Sequence, residues 1–367
     1  MKKKNSENIF NSREHLSKIK PYVPGRSIQD VVQELGIKDC IKMASNENPL
    51  GCPITSEQLS SMLNTAHHYP DLNASDLLIL LSKLWGLDRN QFVVGNGSDE
   101  ILQMLALAFL DPGDEVVTSW HTFSEYEFVA NLCGAETVTV PMTEFAYDCE
   151  SLADAVTEKT KLIFIANPNN PTGTIVTGEQ LDGLMSRIDK NVIVVSDEAY
   201  GEYVTSDQYP NTIENLKKYP NLISLRTFSK AYGLAGFRIG YGMGHPDLIA
   251  LLNKVRQPFN VNSLAIKAAQ IALQTPDFIA QSIELNAKGK EYLYTALEKM
   301  ALGICKTEAN FICVFLPISG NEAAKRLLEK GIIVRSLASF GLRNAIRVTI
   351  DTEKNNQRFI QSLEECL

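Results

Sequence analysis

Several things are scarce in this sequence, and each scarcity excludes a class of protein. Its seven cysteines (Cys40, Cys52, Cys133, Cys149, Cys305, Cys313 and Cys366) are scattered and odd in number. None forms a C-x-x-C pair or sits with a histidine at metal-ligand spacing, so a disulfide framework is excluded and no bound metal is expected. Reduced, mostly buried thiols in a cytoplasmic protein are the expectation. The basic start at residues 1–5 is not followed by the apolar stretch that a secretory leader needs. Apolar runs such as 192–195 fall far short of the roughly 20 residues that cross a bilayer. Basic residues are outnumbered, 35 Lys and Arg against 43 Asp and Glu, for a net charge of −8. That balance repels phosphate backbones and anionic lipid, so neither nucleic acid nor a membrane is an expected partner. Internal repeats and low-complexity tracts are missing, which removes solenoids and linkers. What is present is 367 residues, 44% of them hydrophobic. That is enough for about two domains with a large core, and chemistry on small molecules becomes the default.

Short β-branched runs at 92–94, 115–118, 137–140, 162–165, 192–195 and 222–225 alternate with helical stretches such as 180–188. Continuous apolar runs bounded by turn residues indicate βαβ units and a mostly parallel sheet, hence an α/β core. Beyond Asn262 the pattern changes to long helices at 263–273 and 276–300. Strands at 310–316, 332–335 and 345–350 follow, with a helix at 321–329, as in a second, smaller α+β domain. The first 45 residues, with Pro21, Pro24 and Gly25, are too short and irregular to be a domain. They are expected to pack on the C-terminal unit or on a partner subunit. The expected division is therefore 1–45, 46–275 and 276–367.

In parallel sheets ligands collect beyond the carboxyl ends of strands, and four motifs stand there. Gly95-Asn96-Gly97-Ser98-Asp99-Glu100 leads from the first run into an apolar helix. A glycine-rich turn at a helix N-terminus suits a phosphate, although taken alone it reads as an ordinary helix start capped by Ser98. Glu100 breaks the G-x-G-x-x-G fingerprint and weakens a dinucleotide reading. Asn167-Pro168-Asn169-Asn170-Pro171-Thr172-Gly173 is a stiff loop able to aim an amide at a ligand oxygen. Asp197, in Ser196-Asp197-Glu198-Ala199-Tyr200, is either a cap or the anionic partner of a ring nitrogen. Lys230 lies in Thr227-Phe228-Ser229-Lys230, with Arg238 eight residues later. An amine in such small, apolar surroundings can attack an aldehyde.

Together these motifs resemble the pyridoxal-phosphate (PLP) aminotransferases of fold type I, class I/II, from about Lys20 to the C-terminus. The segments Met43–Gly51, His68-Tyr69-Pro70-Asp71, Gly95–Ile101 and Ala345–Ile350 carry a narrower resemblance. It is to the subfamily that acts on histidinol phosphate and 2-oxoglutarate in histidine biosynthesis. The resemblance implies a mostly parallel seven-stranded sheet flanked by helices, with a smaller α+β domain built from the C-terminus and the N-terminal segment. It implies that Lys230 tethers the cofactor and moves the proton, and that Asp197 pairs with the ring nitrogen. Asn170 and Tyr200 would bond the ring's phenolic oxygen. Ser98, Asp99, Thr227, Ser229 and Arg238 would bind the cofactor's phosphate, joined by Tyr69 from a neighbouring subunit in a homodimer with shared sites. Phe123 would stack on the ring. Tyr22, Asn48, Arg335 and Arg347 would contact substrate, the arginines taking carboxylate or phosphate, with Glu47 near the imidazole.

Three residues depart from that pattern near the substrate end: His68 for Arg, Arg343 for Pro and Asp351 for Gly. Two rival activities share the motifs, transamination of aromatic amino acids and decarboxylation of a phosphorylated amino acid. A third rival, a PLP-binding transcription regulator, would need a DNA-binding module ahead of the motifs, and about 45 residues is too little.

Overall fold

The computed structural model describes residues 12–19, 27–37 and 39–367. In chain order its strands are β1 (Ile41–Lys42), β2 (Phe92–Gly95), β3 (Glu115–Ser119), β4 (Glu136–Val140), β5 (Thr160–Ala166) and β6 (Ile193–Asp197). They continue with β7 (Leu222–Thr227), β8 (Gly240–Gly244), β9 (Phe311–Phe315), β10 (Ile332–Ile333), β11 (Arg335–Ser336) and β12 (Ala345–Thr349).

Seven strands form one sheet in the order β2–β8–β7–β6–β5–β3–β4. β8 runs against both of its neighbours, and every other pairing is parallel. β2, β6 and β7 bury every residue, as continuous apolar strands do when both faces are covered. The sheet thus has the mostly parallel character that the alternating runs predict. β8 was not legible, because Gly240-Tyr241-Gly242-Met243-Gly244 has poor strand propensity. Packing explains the glycines. A Cβ at Gly240 would lie 2.7 Å from the Ser98 nitrogen and 2.8 Å from the Arg226 oxygen, and one at Gly242 3.1 Å from Val93 Cγ1.

The helices begin where their sequences allow caps. Thr177 and Gln180 form a capping box on Gly178–Arg187, the Asn262 side chain caps Ser263–Leu273, and Pro276 opens Pro276–Lys299. A second, antiparallel sheet has the order β11–β12–β9. The stretch 332–335, expected as one strand, is two. Apolar β10 is buried and pairs in parallel with β1, while half-buried β11 joins β12. A further helix, Glu353–Cys366, escaped the sequence reading and buries Phe359, Ile360 and Leu363 in the C-terminal core. Met43 lies in that same core, and its carbonyl accepts from the Thr349 N–H at 2.8 Å, which ties residues 41–46 to the C-terminal sheet. Among the described residues no helix is long and apolar enough to cross a membrane.

Candidate active site

A cleft of about 220 Å³ opens where β2, β5, β6 and β7 end, facing the β11–β12 pair. Its walls come from both sheets and from Ala44–Asn46. The first wall is the turn from β2 into the helix Gly97–Phe109. That helix starts at Asn96, not at Ser98, and no side chain caps it. The Asn96 amide is engaged elsewhere, donating to Glu100 Oε2 at 3.2 Å and to the Asn260 carbonyl at 2.5 Å. Glu100 is thus an internal brace and the first-turn N–H groups are left for a ligand. Gly97 has φ +73, and a Cβ there would meet Arg238 Nη2 at 2.8 Å. Arg238 itself has φ 58 and is steered over the turn by Asp99, Nη2 to Oδ2 2.9 Å. Thr227 donates its hydroxyl to Ser229 Oγ at 3.0 Å, and both line the same end of the cleft. Backbone donors, two hydroxyls and a guanidinium therefore converge on one anion-sized place.

Asp197 ends β6, wholly inside the protein. Burial pushes its carboxyl up to about 7, against the pull of the Tyr126 hydroxyl, which donates to Oδ2 at 3.0 Å. Oδ1 is buried and has no hydrogen-bond partner among the described residues. Lys230 follows β7. Its Nζ donates to the Ser45 carbonyl at 3.2 Å and lies 5.7 Å from the Tyr200 ring centroid. Tyr200 Oη accepts from Asn46 Nδ2 at 2.9 Å. Phe123 lines the cleft half-buried, edge-on to Tyr126 with 5.7 Å between centroids. In the 167–173 loop, where Pro168 and Pro171 both follow cis peptide bonds, the two neighbouring asparagines divide the work. Asn169 holds the loop through Thr122, Thr172 and the His121 carbonyl, while Asn170 lines the cleft and accepts from Arg347 Nη1.

Arg347 on β12 also donates to the Ala44 carbonyl at 2.7 Å. Arg335 on β11 is its direct cross-strand partner, so the two side chains share one face of the small sheet, and both line the cleft. Beneath the site, Arg226 on β7 is buried between two carboxylates, Glu198 at 2.7 Å and Glu202 at 3.1 Å. That network locks β6, β7 and the turn after Tyr200 to one another.

Of the residues singled out in the sequence, Ser98, Asp99, Phe123, Asn170, Asp197, Tyr200, Thr227, Ser229, Lys230, Arg238, Arg335 and Arg347 all line this one cleft. Asn48 does not. Its amide bonds the Ala231 carbonyl at 3.0 Å and Ser282 Oγ at 2.8 Å, joining 46–51 to the lysine loop and to the long helix. Tyr69 is 82% exposed, outside the cleft of its own chain, and stacks on Phe259 at 4.7 Å. Tyr22 lies outside the described residues. None of the departing residues His68, Arg343 and Asp351 lines the cleft. Asp351 instead accepts from Thr352 N and Asn355 Nδ2 at the start of the last helix. The sequence reading missed Asn46 and Tyr126. Asn46 has φ 56, a backbone region that asparagine tolerates, and it lies inside the 43–51 motif. Tyr126 reads as one more apolar position on the helix Glu125–Cys133.

A lysine amine, a buried carboxylate and a turn rich in N–H, hydroxyl and guanidinium donors meet at the strand ends of a mostly parallel sheet, an arrangement that suits a PLP-type transferase. The family model for aminotransferase class I and II matches residues 38–363, and the chain belongs to that family. Its cofactor is pyridoxal 5'-phosphate. The chain is 47% identical to a histidinol-phosphate aminotransferase of Moorella thermoacetica over 97% of its own length and 92% of that protein. It is 42% identical to histidinol-phosphate aminotransferase 1 of Nitrosococcus oceani, over 95% and 94% respectively. Among solved structures, the histidinol-phosphate aminotransferase of Sinorhizobium meliloti in complex with pyridoxal-5'-phosphate superposes with a TM-score of 0.87. That match has 27% identity and covers 97% of this chain and 98% of the other.

The residues present fit the cofactor. The orphaned Asp197 Oδ1 calls for a donor such as a protonated ring nitrogen. Gly97 and Gly240 leave open, beside Arg238 and the Ser98 nitrogen, the space that any Cβ would fill.

Proposed function

We propose that this enzyme transfers the amino group of L-histidinol phosphate to 2-oxoglutarate, giving imidazole acetol phosphate and L-glutamate, as a step of histidine biosynthesis. The Arg335–Arg347 pair carries the reading. Two guanidinium groups in cross-strand register, on the wall opposite the cofactor cradle, can grip either a phosphate or a carboxylate. One pocket can then take both the phosphorylated donor and the dicarboxylate acceptor. The names and near-full-length similarity of the relatives support the same choice.

When bound, the cofactor supplies an aldehyde carbon and an electron-accepting ring. Lys230 Nζ, which faces the cleft just after β7, would hold that carbon covalently and would be the base and acid that moves the substrate's Cα proton. Asp197 would keep the ring nitrogen protonated, and Asn170 and Tyr200 would bond the phenolic oxygen. The 97–99 turn, Thr227, Ser229 and Arg238 would hold the phosphate, and Phe123 would cover the ring face. Arg347, tied to Asn170 by a hydrogen bond, would receive the substrate's anionic end beside the residue that meets the ring's oxygen.

The reading includes a homodimer in which Tyr69 reaches the partner's cofactor phosphate. Tyr69 is exposed along with Leu59, Leu63, Leu72, Ile79 and Leu84 of the same segment, an apolar surface that a second copy would cover. The seven free thiols suit the reducing cytoplasm.

A donor panel tests the substrate. Single-turnover absorbance on the cofactor-loaded enzyme should show full conversion by histidinol phosphate and by glutamate. Conversion by phenylalanine but not by histidinol phosphate would overturn the assignment. Sedimentation of wild type should give twice the monomer mass.

A further inference from the structure

Tyr126 takes no part in the roles assigned above. It is wholly buried, and its ring is stacked on Phe164 with 4.8 Å between centroids and 10° between planes. Packing of that kind suits phenylalanine, because a hydroxyl removed from water without a partner costs free energy. The partner is Asp197 Oδ2 at 3.0 Å, while Asp197 Oδ1 is buried and unpaired among the described residues. One carboxylate therefore has one oxygen occupied from inside the protein and the other open, in a residue that lines the cofactor cleft.

We propose that Tyr126 is a positioning residue for the cofactor: by donating to Oδ2 it fixes the rotation of the Asp197 carboxylate, so that Oδ1 receives the ring N–H and the carboxylate stays ionised. The proposal rests on the assignment of Asp197 to the ring nitrogen. Desolvation and the Asp197 charge hold the tyrosine's pKa far above its ordinary value, so its hydroxyl remains a donor at every working pH. The remaining charged and titratable groups around Asp197 do not replace it. Asp99 and Glu198 oppose its ionisation through their charge, and the Ala199 N–H pulls more weakly than Tyr126. The Tyr147 hydroxyl is engaged with Thr118, Thr122 and the Ala166 N–H. That of Tyr200 meets Asn46.

Tyr126→Phe removes one oxygen and keeps the ring. Wild type and variant are loaded with PLP carrying nitrogen-15 in its ring. The ring-nitrogen chemical shift and the pH midpoint of the visible band of the Lys230-bound cofactor are then measured. Without its donor the carboxylate draws the ring proton toward itself. The resonance should then move toward unprotonated pyridine, and the midpoint should rise by about one pH unit as positive charge leaves the ring. A fluorotyrosine at the same position keeps the fold and strengthens the donor, and should move the midpoint downward. Phe164→Leu, which loosens the stacking but keeps the hydroxyl, should leave both readings in place. The proposal is overturned if Tyr126→Phe and the fluorotyrosine leave both readings unmoved, or if Phe164→Leu moves them as far. Asp197→Asn separates the two layers. If it leaves the nitrogen shift unchanged, the assignment of Asp197 fails; if it moves the shift and Tyr126→Phe does not, only the role of Tyr126 fails.

Discussion

In the cofactor-free protein, burial raises the Asp197 carboxyl from its ordinary 3.8 to about 7. Between those values the folded protein holds a proton that the unfolded chain has released, so stability falls as pH rises through the window. The penalty is absent below the unfolded pKa and complete above the folded one. Three pKa units correspond to roughly 4 kcal/mol, of which about 2–3 kcal/mol is lost between pH 5 and pH 8. Asparagine keeps the shape and cannot ionise. Asp197→Asn stripped of cofactor should therefore gain about 2–3 kcal/mol on stripped wild type as the buffer moves from pH 5 to pH 8. Urea denaturation of both proteins at each pH, followed by circular dichroism, reads the difference. Adding the cofactor should shrink it, since a protonated ring nitrogen supplies the missing counter-charge. A difference that is flat in pH, or that grows toward acid, would refute the claim that desolvation governs this carboxylate.

Other outcomes follow from the same geometry. Lys230→Ala should abolish borohydride-fixed label at that position and slow turnover by about 10²–10⁴-fold or more, measured as glutamate formation. Gly240→Ala, whose added methyl would crowd backbone atoms of residues 97 and 98, should cost about 1–3 kcal/mol in urea unfolding and speed cofactor loss on dialysis. Arg226→Met leaves Glu198 and Glu202 buried together without their cation and should destabilise the fold by about 3–5 kcal/mol in the same assay. Unchanged stability there would mean that the network contributes nothing beneath the site.

The large sheet was legible because β-branched runs and turn residues report burial on both faces directly. β8 was not, since its glycines answer to close approach by β2, β7 and the 97–98 turn, contacts that exist only after folding. The break at Val334 was hidden for a similar reason. Four residues of strand-like character gave no sign that two sheets share them. In the site, the residues that touch the cleft sit in dense motifs and were visible together. Asn48 and Asn170 stand in equally suggestive motifs, yet one is a tie between loops and the other lines the cleft. Amide chemistry is the same in both, and only the neighbours Ser282 and Arg347 distinguish them. Tyr126 was invisible because a buried tyrosine on a helix has the same pattern whether or not its hydroxyl has a partner.

Because β8 reverses direction, the chain leaves β7 and returns along β8 through one twelve-residue connection that carries both Lys230 and Arg238. The proposed tether and phosphate clamp are thereby held on a single hydrogen-bonded hairpin, while Arg335 and Arg347 stand on the other sheet. Any movement of that second sheet would reach the cofactor side of the cleft through the hydrogen bond from Arg347 to Asn170.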